Sequence, residues 1–209
     1  MKPYSIFVIC LISLSCKEKK RIEPFSNVIL HNDNHITNEY ANENFNEGLH
    51  LVEYNQFGKA KKFFLRADSA YPNSAVILNA LGNTEIRTKD TADAFQAFQD
   101  AMEADSSFTK TYINYGTALT YVGNYEEAMR IFNLGLNRYI KYHDDRRFLY
   151  FNMACTCIRL NENKKALILL ERAREGLSSG MLYDKIVHLE GTIAAIKEPG
   201  SDVPQNTKH

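Results

Sequence analysis

Residues Thr109–Gly135 read TKTYINYGTALTYVGNYEEAMRIFNLG. Apolar residues recur at helical spacing on both sides of Gly123-Asn124, a pair suited to a tight turn, so the stretch predicts two short amphipathic helices folded into a hairpin. Small and large residues alternate where such a hairpin needs them, with Gly116 on the first helix and Ala128 and Phe132 on the second. The pattern then repeats along the chain. Gly48, Gly82 and Gly116 stand 34 residues apart, as do Ala60, Ala94 and Ala128, and Phe64, Phe98 and Phe132. A fixed period of this length marks a stack of like units, each too small to bury its apolar face alone.

These residues resemble the tetratricopeptide repeat. That family carries Gly or Ala at the eighth position, an aromatic at the seventeenth, Ala at the twentieth, an aromatic at the twenty-fourth and Ala at the twenty-seventh. The resemblance implies an all-α fold: a right-handed α-α superhelix, or solenoid, of about four helix hairpins plus a C-terminal capping helix. The units fall at about 41–74, 75–108, 109–142 and 147–180, within a repeat domain spanning 37–180. The fourth unit is offset by four residues, because Ala154, Ala166 and Ala173 follow Gly116, Ala128 and Gly135 by 38. A longer second helix in the third unit, or a true loop near 141–147, would absorb the offset. Asn38, Asp90 and Asn124 are candidate helix caps, with Asn124 and Glu127 spaced as a capping box. Asp144 or Asp145 would cap the first helix of the fourth unit. Residues 181–198 form an amphipathic helix without a partner and would cover the last apolar face. Residues 199–209 form a polar tail that begins with Pro199-Gly200.

The chain opens with MKPYSIFVICLISLSC, followed at once by KEKKR. The apolar run Tyr4–Leu14 is shorter than the ~20 residues of a membrane-spanning helix. It fits the core of a secretory signal, and the abrupt polar change after Cys16 resembles a bacterial lipoprotein signal. That resemblance implies cleavage before Cys16, acylation of its thiol, and attachment to a membrane of the bacterial cell envelope. Residues 17–36 show no sustained periodicity and read as a flexible tether. His31, Asp33 and His35 lie within it, but a flexible pentapeptide does not fix metal geometry alone, so no metal site is assigned. Cys155 and Cys157 sit two apart on a helix, which points them to different faces as buried free thiols.

Formal net charge is zero, with 25 basic and 25 acidic side chains. A strongly basic surface is therefore absent, and nucleic acid is not the expected partner. No Gly-rich phosphate loop, HExxH or GxSxG motif occurs, and the six histidines are scattered. The carboxylate pairs Glu126-Glu127 and Asp144-Asp145 lie at helix starts, where dipole compensation explains them. No cofactor and no catalytic residue are assigned.

In the resembled family the first helices of the units line a concave groove. Carried over by position, the groove-facing residues include Asn79 and Asn83, then Lys110 and Asn114, then Phe148, Phe151 and Asn152, with Arg87 one residue beyond. Amides can both donate to and accept from a polypeptide main chain, and aromatic rings add contact area at low entropic cost. The expected function is a non-enzymatic scaffold or adaptor that holds a protein or peptide partner in this groove. The carboxylate clamp of the chaperone-binding members is not expected, since only Lys110 matches it and Phe45 and Leu49 occupy its positions in the first unit. Two other readings stand beside it. One is an enzyme, or an enzyme-associated subunit, with a site in the groove; the other is a self-assembling structural protein of the envelope.

Overall fold

The computed structural model describes residues 36–138 and 143–195. The signal segment with Cys16, most of the tether and the C-terminal tail lie outside the described residues. Nine helices and no strand occur among the described residues. In order they are α1 (Glu39–Glu53), α2 (Phe57–Ala70), α3 (Ala75–Thr88), α4 (Thr91–Ala104), α5 (Thr109–Val122), α6 (Tyr125–Leu136), α7 (His143–Arg159), α8 (Asn163–Arg174) and α9 (Met181–Ala195). They form four antiparallel hairpins, α1/α2, α3/α4, α5/α6 and α7/α8, followed by α9 against α8.

The 34-residue period has a direct physical cause. Gly48 lies under the ring of Phe64, Gly82 under Phe98, and Gly116 under Phe132; a Cβ at any of these glycines would fall closer than 3.0 Å to the ring. All three phenylalanines are fully buried. Removing one such ring from water contributes on the order of 2 kcal/mol. The fourth hairpin makes the opposite trade: Ala154 adds a methyl where the others have glycine, and Leu170 replaces the ring, both fully buried. Total volume is conserved, which is the condition a packed core tolerates best.

The turns repeat in the backbone as well. Asn55, Lys89, Gly123 and Asn161 all take positive φ, at 57°, 70°, 91° and 61°. The following amide then donates to the carbonyl five residues back: Gln56 to Leu51, Asp90 to Glu85, Asn124 to Leu119 and Glu162 to Cys157. This is the closing bond of a Schellman motif.

That motif corrects the capping expectations. Asp90 and Asn124 are N-caps, but neither side chain caps its helix. With ψ at 61° and 71° rather than extended, the side chain is turned away from the first-turn amides. Glu127 pairs with Arg130 instead. Asn38 does cap, accepting from the Ala41 amide at 2.9 Å. Asp144 and Asp145 lie inside the first turn of α7, not at its cap position. The 38-residue spacing resides in α7, which begins at His143 and runs 17 residues, while α6 ends at Leu136 and does not run long.

The first helices α3, α5 and α7 pack side by side, whereas the second helices α4, α6 and α8 do not pack closely on one another. A stack whose one layer is more tightly spaced curves toward that layer. The inner surface is therefore lined by first helices.

Candidate functional site: the inner face of the stack

Among the described residues, polar contacts fasten each hairpin to the next. Lys61 on α2 reaches Glu85 at 3.1 Å and Asp90 at 2.8 Å, joining the first hairpin to the second. Asn114 Nδ2 on α5 donates to Asn79 Oδ1 on α3 at 3.1 Å, joining the second to the third. The hydroxyls of Thr120 on α5 and Thr156 on α7 lie 2.8 Å apart, joining the third to the fourth. Each of these hydroxyls also donates one turn back, to Gly116 O and Asn152 O. With one proton per hydroxyl, these alternatives share it along the pair. Aromatic contacts reinforce the middle junction: Phe98 stacks on Tyr115 with ring centroids 5.4 Å apart, and Phe95 lies at 5.5 Å.

The residues picked from the sequence fall into two groups. Asn79 and Asn114 are buried, at 1% and 3% exposure, and turn toward each other. Asn152, Phe151 and Lys110 are also buried. Asn83 and Phe148 are half-buried, and Arg87 is exposed with its guanidinium over the Phe57 ring at 4.7 Å. Asn114 Oδ1 and Thr117 Oγ1 are buried without a hydrogen-bond partner. The surface thus has a floor of amides and hydroxyls and a rim of Asn83, Arg87 and Phe148. Sequence reading did not single out the Thr120–Thr156 pair or the Lys61 cluster as fasteners. Their signal was available: a threonine on each of two successive first helices, and an acid, Glu85, facing the stack where α1 has Leu51 and α5 has Leu119.

Electrostatics at the first junction follow from burial. Desolvation raises the Glu85 pKa, opposed by the Lys61 ammonium. The hydrogen bond from Lys61, then that from Thr88, lowers Asp90. The Asp90 hydrogen bond is the largest influence on Lys61 and raises its pKa. Burial also pushes the Cys157 thiol up from 9.0 to about 11, which leaves it protonated and unreactive at neutral pH. Among the described residues no group of three His, Cys, Asp or Glu side chains is placed to hold a metal ion. No described helix is long and apolar enough to cross a membrane.

Curved stacks of helix hairpins offer an extended concave binding surface. Residues 108–179 match the tetratricopeptide repeat family model. The chain is 30% identical over 94 residues to a Lipoprotein NlpI homolog of Haemophilus influenzae. It spans about 30% of the length of that relative, and 45% of this chain is covered. Among solved structures, PilF of Pseudomonas aeruginosa superposes with a TM-score of 0.62 at 18% identity, over 74% of this chain and 70% of that one. YrrB, described as a tetratricopeptide-repeat protein with an unusual peptide-binding site, gives 0.57 at 20%, over 72% and 74%. MamA of Desulfovibrio magneticus RS-1 gives 0.58 at 12%, over 74% and 84%. These likenesses show the fold, an all-α superhelix of the tetratricopeptide-repeat type, and residues 108–179 carry that repeat. As a class, these proteins are interaction scaffolds.

Proposed function

We propose that the protein is a membrane-anchored adaptor that holds a partner polypeptide along the inner face of its stack. One observation carries the reading: Asn83 and Arg87 on α3 and Phe148 on α7 stand open on the inner face, and on α5 between them Asn114 Oδ1 and Thr117 Oγ1 have no hydrogen-bond partner. Such groups suit a polypeptide main chain, which offers donors and acceptors but no net charge. Asn83, Arg87 and Phe148 form the rim that a partner meets first, with Asn114 and Thr117 beneath. Lys110, Phe151, Asn152 and Asn79 support that floor. A peptide-binding site is described for YrrB, whose fold the chain shares.

The anchor is acylated Cys16, and the site of action is the bacterial cell envelope. The signal-like start supports this, as does the lipoprotein relative over its matched part. No catalytic step and no cofactor are assigned.

Affinity capture from membranes tests the reading. A chain carrying Asn83→Ala, Arg87→Ala and Phe148→Ala should lose the partner that the native chain retains. Equal recovery by both chains would refute the groove. Separately, Cys16→Ser should abolish metabolic lipid labelling and leave an uncleaved precursor; a labelled variant would refute the anchor.

A further inference from the structure

The outer layer of the stack is not uniform in charge. On its outward stripe α2 carries Lys59, Lys62, Leu65 and Arg66, all exposed. One 34-residue period later, α4 has Asp93, Gln96, Gln99 and Asp100 at the same positions. Further along the outer layer Arg130 pairs with Glu127, and Lys165 with Glu162. Among the described residues no ion pair involves Lys59, Lys62 or Arg66, and the Arg66 guanidinium lies over the Phe63 ring at 5.1 Å. The glutamates of the first hairpin all sit on α1. The acid of α2, Asp68, is half-buried, and burial, then the charge of Asp100, raises its pKa. The first hairpin thus turns a basic helix outward.

Apolar groups stand among these charges. Leu65 is 44% exposed and Tyr40 57%. With Arg66, Ser69 and Ala70 they line an open groove of about 360 Å³. The chain enters the domain at this same end. Ile36 is buried in the core of the first hairpin, and Asn38 Nδ2 donates to Ala70 O at 3.2 Å. Cys16 lies 20 residues before Ile36, so at most about 70 Å of chain separates the groove from the acylated residue. The residues that follow Cys16, KEKKR, carry the same sign of charge as α2.

We infer that the outward stripe of α2 rests on the anionic headgroups of the membrane that holds the chain, an inference that builds on the anchor proposed above. Lys59, Lys62 and Arg66 each strengthen the contact on the order of fivefold. Leu65 and the Tyr40 ring enter the interface between them, as mixed basic and apolar faces do on lipid surfaces. The same headgroups repel Asp93 and Asp100 on α4, so contact is confined to the first hairpin and the rest of the stack stands off the bilayer. Because α2 belongs to the outer layer, the inner face stays turned toward water and open to a partner.

The full acylated chain, reconstituted on vesicles with a nitroxide at Ser69→Cys or at Glu103→Cys, the same position of the next repeat, tests this. Cys155 and Cys157 are buried and do not compete for the label. On phosphatidylcholine vesicles with about one-third phosphatidylglycerol, the label at 69 should be relaxed by oxygen more than by a water-soluble nickel complex, and the label at 103 the reverse. On pure phosphatidylcholine, or in molar salt, both labels should read as aqueous. Lys59→Glu, Lys62→Glu and Arg66→Glu together should also return position 69 to water, with a native-like melt because all three are exposed. Flotation with pure phosphatidylcholine vesicles reports the anchor alone. A chain that fails to float there refutes the anchor, and the salt-sensitive signal at 69 on anionic vesicles still decides the α2 face. Labels that read alike at 69 and 103 on anionic vesicles overturn the inference, as does contact at 69 that survives salt and charge reversal. Loss of nickel access at 69 without a gain in oxygen access would put a second copy on this face and also overturn it.

Discussion

Asn114 on α5 donates to Asn79 on α3 at 3.1 Å, and this buried bond ties the second hairpin to the third. The apolar core divides within the second hairpin, next to this junction: residues around Phe45, Phe64 and Leu81 form one cluster, while Phe98 joins the one around Phe132 and Leu170. Asn79→Ala removes the acceptor and leaves the Asn114 amide buried without a partner, at a cost of about 1–3 kcal/mol. The double variant Asn79→Leu, Asn114→Leu removes both partners and should recover much of that loss. Urea denaturation of the two variants checks the order; equal destabilisation would show that the bond does not join the hairpins.

The glycine seats give a paired prediction. Gly116→Ala places a methyl against the Phe132 ring, and the ring is locked in a packed core. The cost should be about 1–3 kcal/mol, read as a clear fall in Tm. Gly191→Ala meets open space and should raise stability by roughly 0.5 kcal/mol through helix propensity. Similar effects at the two sites would contradict the distinction between a filled and an open seat.

The Lys61 cluster predicts a pH dependence. Burial holds the Glu85 pKa above its ordinary value. A carboxyl with a raised folded pKa favours folding when protonated, and that advantage fades as pH rises from the unfolded pKa through the folded one. Lys61 offsets the cost of the ionised form. Lys61→Met should therefore cost on the order of 2 kcal/mol near neutrality, at the low end for a broken ion pair because Lys61 is 22% exposed. The deficit should shrink as pH falls and Glu85 takes up a proton. Thermal melts of both chains from acid to neutral pH measure it; a pH-independent deficit would assign the loss to packing.

Much of the fold was legible because the Gly–Phe contact recurs at fixed spacing and needs one small and one large residue at set positions. The fourth hairpin kept the seat but traded Gly for Ala and Phe for Leu, so its register and its offset of four residues were readable, and the element that absorbs the offset was not. The extra turn of α7 leaves no signature in composition. The caps misread the turns, since the sequence of Asn124 and Glu127 cannot tell a capping box from a Schellman turn whose next residue starts a helix. The inner face was legible in residue type and less so in detail. The family resemblance put Asn79 and Asn114 on it, but their pairing depends on the lateral fit of α3 against α5. Glu85 was not legible as a fastener, because its partner Lys61 lies on the preceding hairpin.

Photocrosslinking in intact cells addresses the inner face most directly. A photoreactive residue at position 83 or 87 stands on the rim, and one at position 62 or 103 stands on α2 or α4, outside the inner layer. The account predicts one discrete protein adduct from positions 83 and 87, and none of that size from 62 or 103. Adducts confined to the outer positions, with 83 and 87 silent, would contradict a partner bound along the inner face.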